Sequence, residues 1–273
     1  MNKKKLNMIL VVIISLIIFF VFVFPYLWMI LMSFKTRMDI LSVQPKLFFT
    51  PTLENYRELF SKGDFVLMLR NSVLVVLLTL AISFAIGLPA AYGFARYKFK
   101  RREDTAFWIL TLRMAPPMAV VIPYFIIGSA LRSLDTIYWL AIVYLTFNIP
   151  FVIWMMRSFF EDIPIEIEES AKIDGLTDFQ IFLKIDLPLV KHGMSATAIL
   201  CTIFTWNEFA FALFLTSQNA KPVSTMVTMF QTFQGVMWGQ MAAASFISTI
   251  PMVIFAIIAR RWLVRGLTFG AVK

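Results

Sequence analysis

Residues 161–192 read EDIPIEIEESAKIDGLTDFQIFLKIDLPLVKH, an acidic segment set between two long apolar runs. It holds eight of the chain's 16 acids: Glu161, Asp162, Glu166, Glu168, Glu169, Asp174, Asp178 and Asp186. Lys172, Lys184 and Lys191 oppose them, so the local charge is −5 in a chain whose total is +9. The local grammar is a short helix, a sharp turn and a second helix. Pro164 suits a first helical turn, flanked by Asp162 or Ile163 as cap, and Glu166, Glu168 and Glu169 then sit near the positive end of the helix dipole. Gly175 is placed to take the left-handed conformation that ends such a helix. Thr177 followed by Gln180 forms a capping box for the next helix, and Pro188 is expected to stop it. Ile165, Ile167, Ala171 and Ile173 put small and apolar groups on one side of the first helix. The element is built to dock against something.

The spacing carries more than its local grammar. Glu169-Ser170-Ala171, three residues, Gly175, nine residues, then Ile185-Asp186-Leu187-Pro188 resembles the cytoplasmic loop of permease subunits of binding-protein-dependent ABC importers. That loop has the pattern Glu-Ala-Ala, three residues, Gly, nine residues, Ile-x-Leu-Pro. The departure is Ser170 for the first Ala, and Ser is small enough for a tight groove. A helix–turn–helix on DNA is the competing reading, but a segment of net −5 repels phosphate. No nucleic-acid role is expected.

Composition sets the class. The 273 residues are 60% hydrophobic and 15% charged, with a mean hydropathy of +0.80. Several runs exceed the roughly 20 apolar residues that a bilayer span needs. The fold class expected is an all-α integral membrane protein. Cys201 is the single cysteine, so no intrachain disulfide forms.

Six spans are expected. Lys3, Lys4 and Lys5 precede a first run, Leu6 to about Phe34, too long for a signal-peptide core and read as a retained span entering from the cytoplasm. Residues 35 to 64 are polar and turn-rich and are placed outside. The second span runs from about Phe65 to Ala95, interrupted by Gly87 and Pro89, and ends in the cations Arg96, Lys98, Lys100, Arg101 and Arg102. The third covers about Ala106 to Ile127, the fourth about Ile137 to Met156, the fifth about Gly193 to Leu215 and the sixth about Met241 to Ala259. Residues 216 to 240 are placed outside. Cationic clusters then put both termini in the cytoplasm. The domain reading is 1–64 for the first helix and external segment, 65–265 for a five-helix core containing the loop at about 161–192, and 266–273 for a cytoplasmic tail.

Two further stretches narrow the resemblance. Ala90-Ala91-Tyr92-Gly93-Phe94-Ala95-Arg96 is similar to the Ala-Ala-Tyr-x-x-Ala-Arg segment of sugar-importer permeases. The end, Gly266-Leu267-Thr268-Phe269-Gly270-Ala271-Val272-Lys273, is similar to their Gly-Leu-Thr-x-Gly-Ala-Val-Lys terminus. With Trp206-Asn207-Glu208-Phe209, the resemblance spans most of the chain after Asn71 and points to the maltose-type branch. It implies a type I ABC importer permease fold in the cell (cytoplasmic) membrane, and half of a pathway for a sugar, polyol or related solute. It also implies a second permease subunit, two cytoplasmic ABC ATPase subunits that use the ATP, and an extracytoplasmic solute-binding protein. The ATPase-coupling loop carries Glu168, Glu169, Ser170, Ala171, Asp174, Gly175, Leu187 and Pro188, with Glu169 contacting a basic ATPase residue. The chain itself is expected to bind no cofactor and to be no enzyme; it has no Gly-x-x-x-x-Gly-Lys-Ser/Thr phosphate loop.

Polar groups inside spans are functional candidates by default. Glu208 lies about 15 residues past Gly193, roughly 22 Å along a helix. Beside Trp206 and Asn207 it offers acceptors for hydroxyls and an aromatic face for a sugar ring; the other reading is an anchor hydrogen-bonded to a neighbouring helix. Asn148, next to Pro150, either lines the pathway or bridges two helices. Arg113, only about 7 residues from the inner end of its span, is expected to snorkel to the cytoplasmic interface. One His and one Cys do not make a usual zinc site, so no metal is expected. The alternative function, an ion-coupled secondary transporter, would use Glu208 as its coupling carboxylate and leave the acidic loop idle.

Overall fold

The computed structural model describes residues 3–61, 63–233 and 235–268. Its helices are α1 (Lys3–Ser33), α2 (Arg37–Ile40), α3 (Glu54–Ser61), α4 (Asp64–Arg96), α5 (Arg102–Thr111), α6 (Pro117–Ala130), α7 (Ile137–Glu161), α8 (Ile165–Ile173), α9 (Asp178–Ile181), α10 (Leu187–Leu189), α11 (Lys191–Asn207), α12 (Ala210–Leu215) and α13 (Trp238–Thr268). A two-stranded antiparallel ribbon, β1 (Gln231–Thr232) and β2 (Gly235–Val236), sets Gln231 opposite Val236.

Four stretches are long and apolar enough to cross a membrane: Leu10–Ser33, Asp64–Arg96, Ile137–Glu161 and Trp238–Ala259. Two bent pairs give up to six if each pair counts as one broken span: Arg102–Met114 with Pro117–Ala130 at 89°, and Asp178–Leu189 with Lys191–Asn207 at 75°. The third and fifth spans are therefore not the continuous helices expected from the sequence. Ala115 is extended (φ −62°, ψ 124°) ahead of Pro116-Pro117, because a proline ring disfavours the helical conformation of the residue before it. The fifth opens at Glu208, whose ψ is 120°. Conversely, Gly87 and Pro89 do not interrupt α4. A methyl group at Gly87 would stand 2.6 Å from Val152 Cγ1, so the glycine serves close approach of α4 to α7. Residues 266–268 continue α13, while 269–273 of the expected tail lie outside the described residues.

The contacts divide the chain into residues 1–66 with 226–251 and residues 67–225 with 252–273, a division that crosses the boundaries read from the sequence. In the first unit Asn55 Nδ2 donates to the carbonyls of Ser33 and Lys35, each at 2.9 Å. Those carbonyls are freed where α1 ends, and the asparagine satisfies them. Buried Lys35 lies over the Trp28 and Phe49 rings at 4.6 and 5.0 Å.

In the second unit α4 and α7 run parallel. Asn71 near the start of α4 donates to the carbonyls of Asn219 (2.8 Å) and Lys221 (3.1 Å), and Asp135, just before α7, holds Ser217 to Ala220. The far ends, Arg96 and Phe160, both meet the acidic loop. α11 packs along α7 and returns from that loop. Leu88, Ala91, Tyr92, Val152, Met156, Phe160, Phe182 and Val190 form the core at the loop end. A second core, centred on Val75, Leu140, Val143, Tyr144, Phe211 and Leu215, lies at the other.

Candidate coupling surface and membrane cavity

The acidic loop folds largely as its sequence reads. α8 starts directly after Pro164 with Glu166 and Glu168 in its first turn. It ends as a Schellman motif: Gly175 takes φ +87°, its N–H donates to the Lys172 carbonyl at 3.0 Å, and the Leu176 N–H donates to the Ala171 carbonyl at 3.1 Å. Thr177 and Gln180 make the reciprocal capping box of α9. Pro188 does not stop the second helix. A π-helical turn, Phe182–Asp186, is inserted before it, and Pro188 sits in the first turn of α10, where its missing N–H has no intrahelical partner to lose. The chain bends only at Val190.

The loop has two faces. Glu168 (4% exposed) and Ala171 (5%) point inward. Ala171 therefore does not share the face of Ile165, Ile167 and Ile173, which are exposed, Ile173 by 87%. Glu169, Ser170, Asp174, Gly175 and Pro188 are exposed with them, and Leu187 is half-buried. Phe179 (68% exposed) and Leu183 extend the apolar part of this outer face. Large apolar side chains on short amphipathic helices need a cover that the described residues do not supply.

Behind that face lies a polar cluster that the sequence does not announce. Arg96, at the end of α4, gives its Nε–H to Glu168 Oε1 and its Nη2–H to the Ile163 carbonyl at 3.0 Å. Asp186 is fully buried, and neither of its oxygens has a hydrogen-bond partner among the described residues. Burial, and then the neighbouring Glu168 charge, push its carboxyl up to about 6. A more exposed network flanks the cluster: Arg157 bridges Glu103 (2.6 Å) and Glu161 (2.8 Å), and Arg102 reaches the same two acids. The hydrogen bonds from Arg157 and Arg102 hold Glu103 down at about 2.

The second unit also holds a cavity of about 790 Å³. Both helix breaks line it, Arg113 and Ala115 from one side and Asn207, Glu208 and Phe211 from the other, with Phe147 and Pro150 of α7 between them. Arg113 does not snorkel. Its guanidinium lies over the Phe151 and Phe204 rings, 4.4 and 4.2 Å from their centroids. Those two rings meet edge to face at 5.2 Å and offer the cation two negative faces. Among the described residues no carboxylate pairs with it.

The candidates Asn148, Trp206, Asn207 and Glu208 separate. Asn207 is exposed on the cavity, and its Nδ2 donates to the Ile203 carbonyl at 2.8 Å. Glu208 lines the cavity too, but its oxygens accept the N–H groups of Phe211 (2.9 Å) and Ala212 (3.2 Å). It caps α12, satisfying donors that the helix break leaves free. Asn148 is fully buried and is a bridge: its Nδ2 donates to the Tyr144 carbonyl at 3.0 Å and to Thr205 Oγ1 at 3.1 Å, joining α7 to α11. Trp206 is buried and does not line the cavity.

Residues 83–269 match the family described as the binding-protein-dependent transport system inner membrane component. The chain belongs to that family. This permease is 34% identical to the trehalose/maltose transport system permease protein MalG of Thermococcus litoralis, over 100% of the chain and 99% of that protein. It is 39% identical to a probable ABC transporter permease protein of Sinorhizobium fredii, over 93% and 91% of the two chains. The trehalose transport system permease protein SugB of Mycobacterium tuberculosis is 35% identical, over 91% of this chain and 92% of that one. Among solved structures, a chain of a bacterial ABC transporter that imports the acidic polysaccharide alginate superimposes with a TM-score of 0.79 at 20% identity, covering 96% and 98%. The permease is thus the transmembrane subunit of an ABC importer in the cytoplasmic membrane: a transport component, not an enzyme. The secondary-transporter alternative finds no support, and Glu208 is occupied as a helix cap.

Proposed function

We propose that the chain forms half of the translocation pathway of an ATP-driven saccharide importer, with a second permease forming the other half. Two cytoplasmic ABC ATPases use the ATP, and an extracytoplasmic binding protein delivers the solute. Both termini lie in the cytoplasm, on the side of Lys3–Lys5, the Arg96–Arg102 cluster and the acidic loop. The observation that carries this reading is the outer face of α8 and α9, where Glu169, Ser170 and Asp174 stand among exposed Ile165, Ile173 and Phe179. An apolar centre with an acidic rim fits a groove in a subunit bearing a basic residue opposite Glu169. Relatives named for trehalose, maltose and diacetylchitobiose transport support the saccharide class. The test is co-purification from detergent-solubilised membranes. The native chain brings down an ABC ATPase and Glu169→Lys loses it at least tenfold; recovery of no ATPase with either chain sinks the reading.

The solute pathway runs through the cavity between the two helix breaks. Irregular backbone at membrane depth is tolerated where it lines such a space. Asn207 supplies a polar edge, the Phe147 and Phe211 rings supply faces for sugar C–H groups, and Arg113 supplies N–H donors for hydroxyl or ring oxygens. Arg113→Gln is expected to cut uptake of a maltose or trehalose probe at least tenfold while the ATPases still co-purify. Unchanged uptake would remove Arg113 from the pathway.

A further inference from the structure

Docking alone does not move a membrane helix. Force applied to the outer face of α8 must reach the transmembrane core, and the covalent paths run through irregular chain on both sides: Asp162, Ile163 and Pro164 after α7, and the turn from Asp174 to Thr177 before α9, α10 and α11. Rotation about those residues would absorb a push. The structure supplies a second attachment, to a different helix. Arg96 in the last turn of α4 grips Glu168 of α8 through Nε and the Ile163 carbonyl of the link through Nη2. The side chains of Arg96 and Glu168 are 10% and 6% exposed, so water does not compete strongly for the pair. The remaining polar ties between α4 and the loop are weaker. Tyr97, the residue after α4, donates to exposed Asp178 at 3.1 Å.

We propose that Arg96 is the positioning residue that makes α8 and α4 move as one body, transmitting ATPase motion to the helix bundle. This rests on the importer reading above. The fork of a guanidinium matters here, since one cation must hold a carboxylate and a carbonyl in two fixed directions, which the single point charge of Lys does not do. Packing alone does not replace it: Tyr92 of α4 touches Phe182 and Phe160 at ring distances of 5.1 and 5.6 Å, and such contacts slide where a bidentate clamp does not.

The experiment uses the assembled importer in proteoliposomes. Cys201→Ser removes the native thiol, Leu112→Cys places a reporter on the cavity lining at a residue with no proposed role, and maleimide labelling is timed with and without ATP–vanadate trapping. With Arg96 intact, trapping changes the labelling rate at least fivefold. With Arg96→Gln the change falls below twofold, although the ATPases co-purify and hydrolyse ATP. Arg96→Lys is expected to fall between the two. Should Arg96→Gln fail to fold, Arg96→Met with Glu168→Leu replaces the pair by apolar groups and leaves no buried charge unpaired; it too should hydrolyse ATP without moving the reporter. A fivefold reporter response in either variant, or loss of the ATPase from Arg96→Gln, overturns the joint. No response with Arg96 intact overturns the importer mechanism itself.

Discussion

Asp135 and Asp186 stand at opposite ends of the parallel pair α4 and α7, and their surroundings differ in every respect that matters to a carboxylate. Asp135 precedes α7 in a left-handed conformation, φ 57°, that costs about 1–2 kcal/mol outside glycine. In return its two oxygens accept the backbone N–H groups of Ser217, Gln218, Asn219 and Ala220 at 2.9 to 3.2 Å, with the Ser217 hydroxyl and the Asn219 amide added. Burial opposes its charge, yet these bonds outweigh it and hold the carboxyl well below the usual carboxylate range. Asp186 is more deeply buried and has no backbone N–H donor, and the nearby Tyr92 hydroxyl and Arg96 charge only partly offset its burial. One end of the unit is a loop locked onto its helices. The other carries a buried carboxylate with no backbone N–H donor, close to both Glu168 and Arg96 of the clamp between the acidic loop and α4. The difference teaches that one buried carboxylate is matched by backbone donors where the chain folds back on itself, and the other is set against a neighbouring carboxylate at the loop that we propose to move.

The comparison is easiest to break at the locked end. Asp135→Ala strands four backbone donors, so a loss of about 3 kcal/mol is expected. It should be read as a lower Tm in detergent and faster proteolysis within 216–221. An unchanged Tm would mean that Asn71 and Ser72, which hold the same loop from α4, suffice alone. At the other end the sign reverses. The Asp186 carboxyl is raised from an ordinary 3.8 to about 6, so the folded chain binds more protons than the unfolded one between those values. Stability accordingly falls as pH rises through that window and stays reduced above it. Asp186→Asn should stabilise the chain at pH 8 by about 1–2 kcal/mol and by nothing measurable below pH ~4. Equal Tm gains at both pH values would refute the raised carboxyl. The smallest effect concerns the clamp. Arg96→Met with Glu168→Leu is expected to change stability by less than about 1 kcal/mol, read as a near-unchanged Tm, since an apolar pair often equals a buried ion pair in stability. A large loss would show that the pair is there to hold the fold rather than to transmit motion.

Much of the acidic loop's fold was legible in the sequence because its signals are local. A proline before a helix, an acid-rich first turn, a glycine forced to positive φ and a Thr–Gln box each act within four residues. The two broken spans were harder. Pro116-Pro117 was visible, but in a membrane helix a proline can equally be absorbed, as Pro89, Pro150 and Pro251 are. At Glu208 the sequence left ligand and anchor open; the deciding fact, a carboxylate turned back to cap α12, needs coordinates. Arg113 was misplaced because depth along a straight helix says nothing about aromatic faces supplied by Phe151 and Phe204, 38 and 91 residues further on. Asp135 carried no sequence signal at all, its partners lying 82 to 85 residues away.

By itself, then, the sequence determined the membrane class and the place and local shape of the acidic loop, since hydropathy, caps and turns are short-range physics. Only the tertiary structure decided which face of that loop is free, which polar groups meet in the cavity and which carboxylates are satisfied. Those questions turn on groups remote in the chain being brought within hydrogen-bonding distance, and in a low-dielectric interior such meetings set the energy of every charge.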